Sequence, residues 1–493
     1  MKYLCAIALL VSSATAIAQA PADGARRIAI VYAINNFGNV EPQGCPHKIL
    51  HDGGIPRRMT LVQQLRAAER PMLLLDGGST LFPEVDKPKD DEKEQMFLKA
   101  EFILEGMNRM GYQAMAVGST DFLLGYAELA QLTSSAKFAL LAANFSVRTP
   151  DGKLQTPFAA HKMFEVGGVK VGVVGLLLEN MGKVYLQKVA PGAEISPAGP
   201  AAKKAAQELK QAGADLIVAL SHSRMEINRQ IVKDVPEIDI LIDPSIEYGN
   251  HHGRIKDEEW QEIVGSTLIL RADGNGSTYG VLEVDFRGAG RGMGSRYLHD
   301  VLKAKQTEGS ITAEEKAEAE ALGAQNHFFL RRLALAPHLA DDIEGLALQE
   351  AFKKGTDLKA VPSTPAGSAR KEFLGAQACE GCHKKQHDFW KSTKHYNAMA
   401  SIHASNSSHL PECIACHTTG YGPAFVKPAD AEIFNGIQCE ACHGTRPEHV
   451  QDPKANRFLQ IAESTCLPCH NEDVLHKDFS YGTAVRKAGC PKG

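Results

Sequence analysis

The sequence predicts two bodies joined by a helical connector: an α/β domain with helices packed on sheet faces over residues 21–300, and a small, mostly α domain over residues 369–493. Three observations carry this reading. Short apolar runs rich in β-branched residues alternate with helical patterns through the first part. A Pro/Ser-rich stretch, Pro362 to Ser368, interrupts the helical region that follows. Four C-x-x-C-H pentapeptides crowd the last part, at 379–383, 413–417, 439–443 and 466–470.

Composition narrows the class. With 493 residues and 44% hydrophobic content, the chain is long enough for two or three domains with ordinary cores. A net charge of −4 argues for neither nucleic acid nor an anionic membrane as partner. Residues 1–20 read as a secretory signal: Lys2 supplies positive charge, Leu4 to Ile17 an apolar run, and Ala16-Ile17-Ala18 or Ala18-Gln19-Ala20 a small-x-small cleavage site. Pro21 favours cleavage after Ala18, and Cys5 leaves with the signal. No later run reaches the roughly 18 apolar residues that a membrane-spanning helix needs. The expectation is an exported protein, in the periplasm or at the cell surface, without a transmembrane segment.

The first domain opens with a strand at Arg27 to Tyr32, then a helix around Pro56 to Arg70, a strand at Met72 to Leu75, a helix over Asp91 to Met110 and a strand at Ala114 to Val117. Strand patterns return at Val169 to Leu178, Asp215 to Leu220, Ile238 to Ile242 and Thr267 to Leu270, with a helix at Ala201 to Gln211. Turns such as Asp76-Gly77-Gly78 separate them.

At these strand ends the chain resembles the catalytic domain of 5′-nucleotidase-type metallophosphoesterases, over residues 26–290. The resemblance rests on Ile28 to Pro42, Gly53-Gly54-Ile55-Pro56-Arg57-Arg58, Leu73 to Gly78, Ala116-Val117-Gly118 with Phe122 and Gly125, Ala143-Asn144-Phe145, Val166 to Gly175, Ile217 to His222 and Ile238-Asp239. It implies a metallophosphoesterase-like sandwich of mixed sheets flanked by helices, with two metal ions clamping a phosphoryl centre. Most of the implied ligands are absent. Asp-x-His is replaced by Asn35-Asn36-Phe37, Gly-Asp by Gly78-Ser79, Gly-Asn-His by Gly118-Ser119-Thr120, and Gly-His-x-His by Pro244 to Glu247. Only His222 keeps a ligand type, with Asn35 and Glu247 as weak oxygen donors. Without a bridging carboxylate two cations repel each other with no shared anion, so no catalytic residue is expected in this domain. His47, His51, His251 and His252 read as solvated loop histidines.

Residues 301–368 read as connector: Thr312 with Glu315 forms a capping-box pattern, and a second amphipathic pattern runs from Ala340 to Lys354.

The pentapeptides are the attachment sites of c-type haem, where two cysteine sulfurs bond the porphyrin edge and the adjacent His binds iron. The chain's own Cys and His frequencies give about 0.01 such pentapeptides by chance, against four present. Zinc sites and redox dithiols use C-x-x-C too, but neither needs a His after the second Cys in every copy. Four c-type haems are therefore expected, attached through Cys379 and Cys382, Cys413 and Cys416, Cys439 and Cys442, and Cys466 and Cys469, with proximal ligands His383, His417, His443 and His470. Attachment sites 34, 26 and 27 residues apart are too close for separate domains, so the porphyrins form much of the core. Six further histidines, His387, His395, His403, His409, His449 and His476, are the distal candidates. Met399 is a weaker one. Cys45 and Cys490 remain, as a disulfide or as two free thiols.

Within this part, Trp390 to Ala398, Cys413 to Tyr421, and Gly436 to Gly444 followed by His449 resemble the cytochrome c554 family of tetrahaem proteins, over residues 375–475. The resemblance implies that His395 and His449 are distal ligands. The family also leaves room for one iron without a distal ligand. Together these readings predict an exported tetrahaem electron-transfer protein whose partners are redox proteins or a small redox-active molecule, with a metal-depleted phosphoesterase-like domain for docking or spacing. The alternative is an oxidoreductase acting on a small nitrogen or sulfur compound at one open haem, and a phosphohydrolase with an unfamiliar metal set is a third. Self-association through exposed haem edges stays open.

Overall fold

Alternation along the strands decides the layering. In Arg26–Ala33, residues Ile28, Ile30 and Tyr32 enter one apolar core, while Val31 and Ala33 enter another. Met72–Asp76 repeats the split, with Leu73 and Leu75 on the first side and Leu74 on the second. Both faces are buried, which is why these strands read as continuous apolar runs. A second sheet does the same: Val171, Val173, Leu216, Val218, Leu220, Ile240, Ile242, Leu268 and Leu270 face the first sheet. Val174, Leu176, Ile217, Ala219, Leu241 and Ile269 face outward onto the helices Ala198–Gln211 and Met225–Asp234. The result is a helix–sheet–sheet–helix sandwich.

The computed structural model describes residues 24–42, 52–68, 70–84, 93–149, 151–179, 183–244, 260–359, 373–404, 408, 411–421, 434–454, 461–470 and 480–488. The signal segment, Cys45, Cys490, Glu247 and the histidines at 47, 51, 251, 252, 409 and 476 lie outside these residues. No helix among the described residues is long and apolar enough to cross a membrane.

The first sheet has seven strands in the order Met293–Ser295, Asn326–Ala334, Thr278–Phe286, Arg26–Ala33, Met72–Asp76, Ala114–Ala116 and Ala139–Leu141. From Arg26–Ala33 to Ala139–Leu141 the pairing is parallel, and Thr278–Phe286 is antiparallel to both its neighbours. The second has six: Gln261–Val264, Thr267–Leu270, Ile240–Ile242, Leu216–Ser221, Val169–Leu176 and His161–Val166. Its four inner strands run parallel and both edges are antiparallel, so both sheets are mixed as the resemblance implied.

The expected boundary at residue 300 is corrected by the sheet itself. Asn326–Ala334 pairs with Thr278–Phe286 over eight residues, inside the seven-stranded sheet. Helix Ile343–Lys359 then packs on the outer helix layer, with Phe352 stacked on Phe102 of helix Lys93–Met110 at 5.0 Å between ring centres. Residues 301–359 therefore belong to the α/β body and are no free connector. The capping box stands as read: Glu315 N donates to Thr312 Oγ1 at 3.2 Å and Thr312 N to Glu315 Oε2 at 2.9 Å.

The C-terminal part is built of short helices, among them Gln377–Glu380, Lys384–Lys391, Ala398–Ala404, Pro411–His417, Cys439–His443 and Pro447–Gln451. Its protein core is small: Met399, Ile402, Ile414 and Phe434, with Phe373 and Tyr421 against it. Met399 is thus a packing residue.

Candidate haem centre and strand-end cleft

The cysteine pentapeptides sit at helix ends that side chains pin together. Glu440, between the third motif's cysteines, accepts hydrogen bonds from Leu374 N and Gly375 N, just ahead of the first motif. Gln438 Oε1 accepts from Ala376 N at 2.8 Å. Trp390 Nε1 donates to Ile437 O at 2.7 Å, and Ile437 N donates to His395 O at 2.9 Å, which fixes the His395 backbone. Gly436 has φ 75°, and an added Cβ would lie 2.7 Å from His395 O, so only glycine lets this chain pass.

Two imidazole pairs result. The rings of His383 and His449 lie 6.1 Å apart and 21° from parallel, and those of His395 and His470 lie 6.0 Å apart at 59°. Two imidazoles donating from opposite sides to one metal, with bonds of about 2 Å, place their ring centres roughly 6 Å apart, so both pairs fit a shared iron. Burial pushes His470 down, and burial with the His470 ring beside it pushes His395 down. Neutral imidazole is the form that ligates. His417 Nδ1 hydrogen-bonds to Ala398 O at 2.6 Å, the orientation that leaves its Nε2 for a metal.

The structure separates the other candidates. His387 is buried beside Glu380 and Trp390, and no proximal imidazole is paired with it among the described residues. His403 lies on helix Ala398–Ala404, the helix whose first carbonyl orients His417. His409 and His476 fall outside the described residues.

The attachment cysteines also meet pairwise. Cys379 Sγ lies within hydrogen-bond reach of Cys439 and Cys416 Sγ within reach of Cys469. Cys442 stands close enough to act electrostatically on Cys469. These neighbours link the motifs in the order first, third, fourth, second.

A second constellation occupies the strand ends of the α/β body. Asn35 N donates to Gly78 O at 3.0 Å, Asn35 Nδ2 to Pro244 O at 2.8 Å, and His222 hydrogen-bonds to the Gly78 backbone. Strand ends named by the phosphoesterase resemblance therefore converge here from both sheets. The donor set does not fit two cations. Asp121, one residue past Gly118-Ser119-Thr120, accepts from Ser79 N, Thr80 N, Leu81 N and Gly118 N at 2.8–3.0 Å. Asp76 accepts from Gly78 N at 2.9 Å and from Thr80 Oγ1. Both carboxylates are thus consumed by the loops. Burial pushes Asp121 up to about 6 and Asp76 up to about 7.

The atoms left over here are neutral: Asn35 Oδ1, Ser79 Oγ, Thr120 Oγ1, Ser223 Oγ and His222 Nε2 are buried without a protein partner. The sequence reading missed Asp121 and gave no role to Arg58, which is buried and hydrogen-bonded to Asn36 Oδ1. The one signal for Asp121 was its place directly after the Gly-Ser-Thr turn.

Burial brings His222 down to about 4, the Gly78 hydrogen bond pulling the other way. Since the folded value lies below the ordinary 6.5, the unfolded chain binds the proton first as pH falls, and stability is lost between about 6.5 and 4. His222→Gln removes that slope. Between pH 7 and 5 wild type should lose about 2 kcal/mol more than the variant in urea titrations. Equal losses would show that His222 is not held neutral.

The comparisons follow this division. The family described as cytochrome c554 and c-prime matches residues 378–444. The mouse 5′-nucleotidase is 30% identical over 251 residues, covering 48% of this chain and 40% of that protein. The snake venom 5′-nucleotidase of Gloydius brevicauda is 27% identical over 253 residues, again 48% of this chain and 40% of the relative. The chain thus spans about two fifths of these relatives' length. The solved structure of a 5′-nucleotidase precursor from Thermus thermophilus superposes with a TM-score of 0.50 at 22% identity, covering 67% of this chain and 59% of that one. In one polypeptide, then, a 5′-nucleotidase-like α/β domain is fused to a haem-binding segment of the cytochrome c554 and c-prime kind.

Proposed function

We propose that this chain is an exported tetrahaem c-type cytochrome that relays electrons between redox partners, and that its α/β domain is a docking or spacing scaffold. The carrying observation is the pair of facing imidazoles, His383 with His449 and His395 with His470, each spaced for one iron. Haem supplies one-electron redox chemistry when bound. The protein's part is to hold two neutral imidazoles on opposite sides of an iron and to bring the first attachment site against the third and the second against the fourth. The leader at residues 1–20 and covalent attachment through cysteines both support export. For the α/β domain, loss of ligand types at the strand ends supports a role without phosphoryl chemistry.

The test is a low-temperature electron paramagnetic resonance spectrum of the oxidised protein with haem quantified on the same sample. Four haems per chain, all low-spin, is the expected result. A high-spin iron whose signal changes on adding nitric oxide would move the oxidoreductase reading to the front. Phosphodiesterase or nucleotidase turnover at ordinary enzyme rates, abolished by His222→Ala, would overturn the scaffold role.

A further inference from the structure

Among the described residues one group of metal-type donors borders the first attachment motif: Glu380, His387 and Asp388, whose donor atoms all lie within 4.8 Å of one another. Glu380 ends the helix Gln377–Glu380, and His387 and Asp388 lie on the helix Lys384–Lys391 that follows. The two carboxylates reach solvent, while the imidazole is 2% exposed. Its Nδ1 has no hydrogen-bond partner. It faces Glu380 Oε1 at 3.6 Å, beyond hydrogen-bond range. The ring also packs against Trp390, 5.4 Å between centres. A buried nitrogen left unpaired and aimed at a carboxylate is an incomplete arrangement, since a buried polar group ordinarily finds a partner.

Two lysines attend the group. Lys384 Nζ lies 3.2 Å from Asp388 Oδ2 and Lys391 Nζ 4.0 Å from Glu380 Oε1. Both pairs are exposed and therefore weak, and both side chains swing into water at little cost.

We propose that Glu380, His387 and Asp388 bind a divalent transition cation of the Zn²⁺ class. One imidazole nitrogen with two carboxylates suits such an ion, whereas Ca²⁺ and Mg²⁺ prefer oxygen alone and Cu⁺ prefers sulfur. Donors on one Zn²⁺, with bonds of about 2.1 Å, sit roughly 3.4 Å apart, so about 1 Å of side-chain movement closes the site. Glu380 lies between Cys379 and Cys382, so the cation's charge stands beside the first attachment motif. Positive charge there favours the reduced state of a haem on that motif. The site does not rest on the relay reading, which concerns other histidines.

The experiment uses the full-length, haem-loaded protein dialysed against Zn²⁺ and then analysed for metal. Wild type should retain one Zn²⁺ more per chain than Glu380→Gln, Asp388→Asn or His387→Ala, with affinity at least tenfold weaker in each variant. The two carboxylate variants change exposed groups and keep haem content, so a loss of Zn²⁺ in them reads on the site rather than on folding. Zn²⁺ should also move one haem potential in the positive direction in wild type and leave it unmoved in Glu380→Gln. Equal Zn²⁺ retention in wild type and all three variants, whether high or nil, overturns the proposal.

Discussion

Replacing His449 with alanine should convert one haem from low-spin to high-spin while leaving the haem content unchanged. His395→Ala should do the same to a different haem. The reason lies in the division of labour at each centre. The covalent bonds run to cysteines on the proximal side, so the distal imidazole is not needed to retain the group. In the structure His449 stands 6.1 Å from His383 and His395 stands 6.0 Å from His470, ring centre to ring centre. Removing either leaves a proximal imidazole with nothing opposite, and a weak-field iron follows. The double variant should show two high-spin irons, because the two pairs share no residue. His387→Ala is the control: its ring packs on Trp390 and faces Glu380, so the spin state should not change. Electron paramagnetic resonance decides, and unchanged low-spin spectra in both single variants would remove these two histidines from the iron.

Asp121→Ala should destabilise the α/β body by about 4 kcal/mol or more, placing it among the most damaging single changes in the chain. Its carboxylate is 0% exposed and accepts four backbone N–H groups, three from the loop after Met72–Asp76 and one from Gly118. Alanine leaves all four donors buried and unpaired, each costing roughly 1–3 kcal/mol. Ser79 at φ 53° depends on those bonds for its left-handed backbone. Asp121→Asn keeps one oxygen and should lose less. Far-UV circular dichroism in denaturant follows this body, while the haem Soret band reports on the other. A loss under about 1 kcal/mol would mean that the loops are held by something other than Asp121.

The elements legible in the sequence were those whose cause is local. Thr267–Leu270 and Lys93–Met110 announced themselves by apolar pattern and length. Asn326–Ala334 was missed because its partner is Thr278–Phe286, across two intervening helices, and because its own pattern is buried at one end and half-exposed at the other. Helix Ile343–Lys359 was read as an amphipathic connector. Its apolar face was correctly seen, but not the Phe102 and Met59 layer that covers it. At the candidate haem centre the proximal assignments rest on sequence adjacency. The pairing of His383 with His449 and of His395 with His470 comes from the third dimension, set by Glu440, Gln438 and Gly436 drawing distant segments together. At the strand ends, the missing ligands were visible as substitutions, while the use of Asp121 as a loop clamp was not.

The position of Asn326–Ala334 in the first sheet sets an order of events during folding. That strand is the last of the sheet in chain order, yet it sits next to Thr278–Phe286 and not at the rim. Until it arrives, Thr278–Phe286 presents a nine-residue open edge, the kind that recruits other chains. Helix Ile343–Lys359 then closes the outer layer, and the next segment to emerge carries the first cysteine motif. The first body therefore completes its sheet only when residues up to 334 are present, shortly before the cysteine motifs in chain order. A chain stopped at residue 300 would be caught in the open-edged state, whereas one stopped at Lys359 would not.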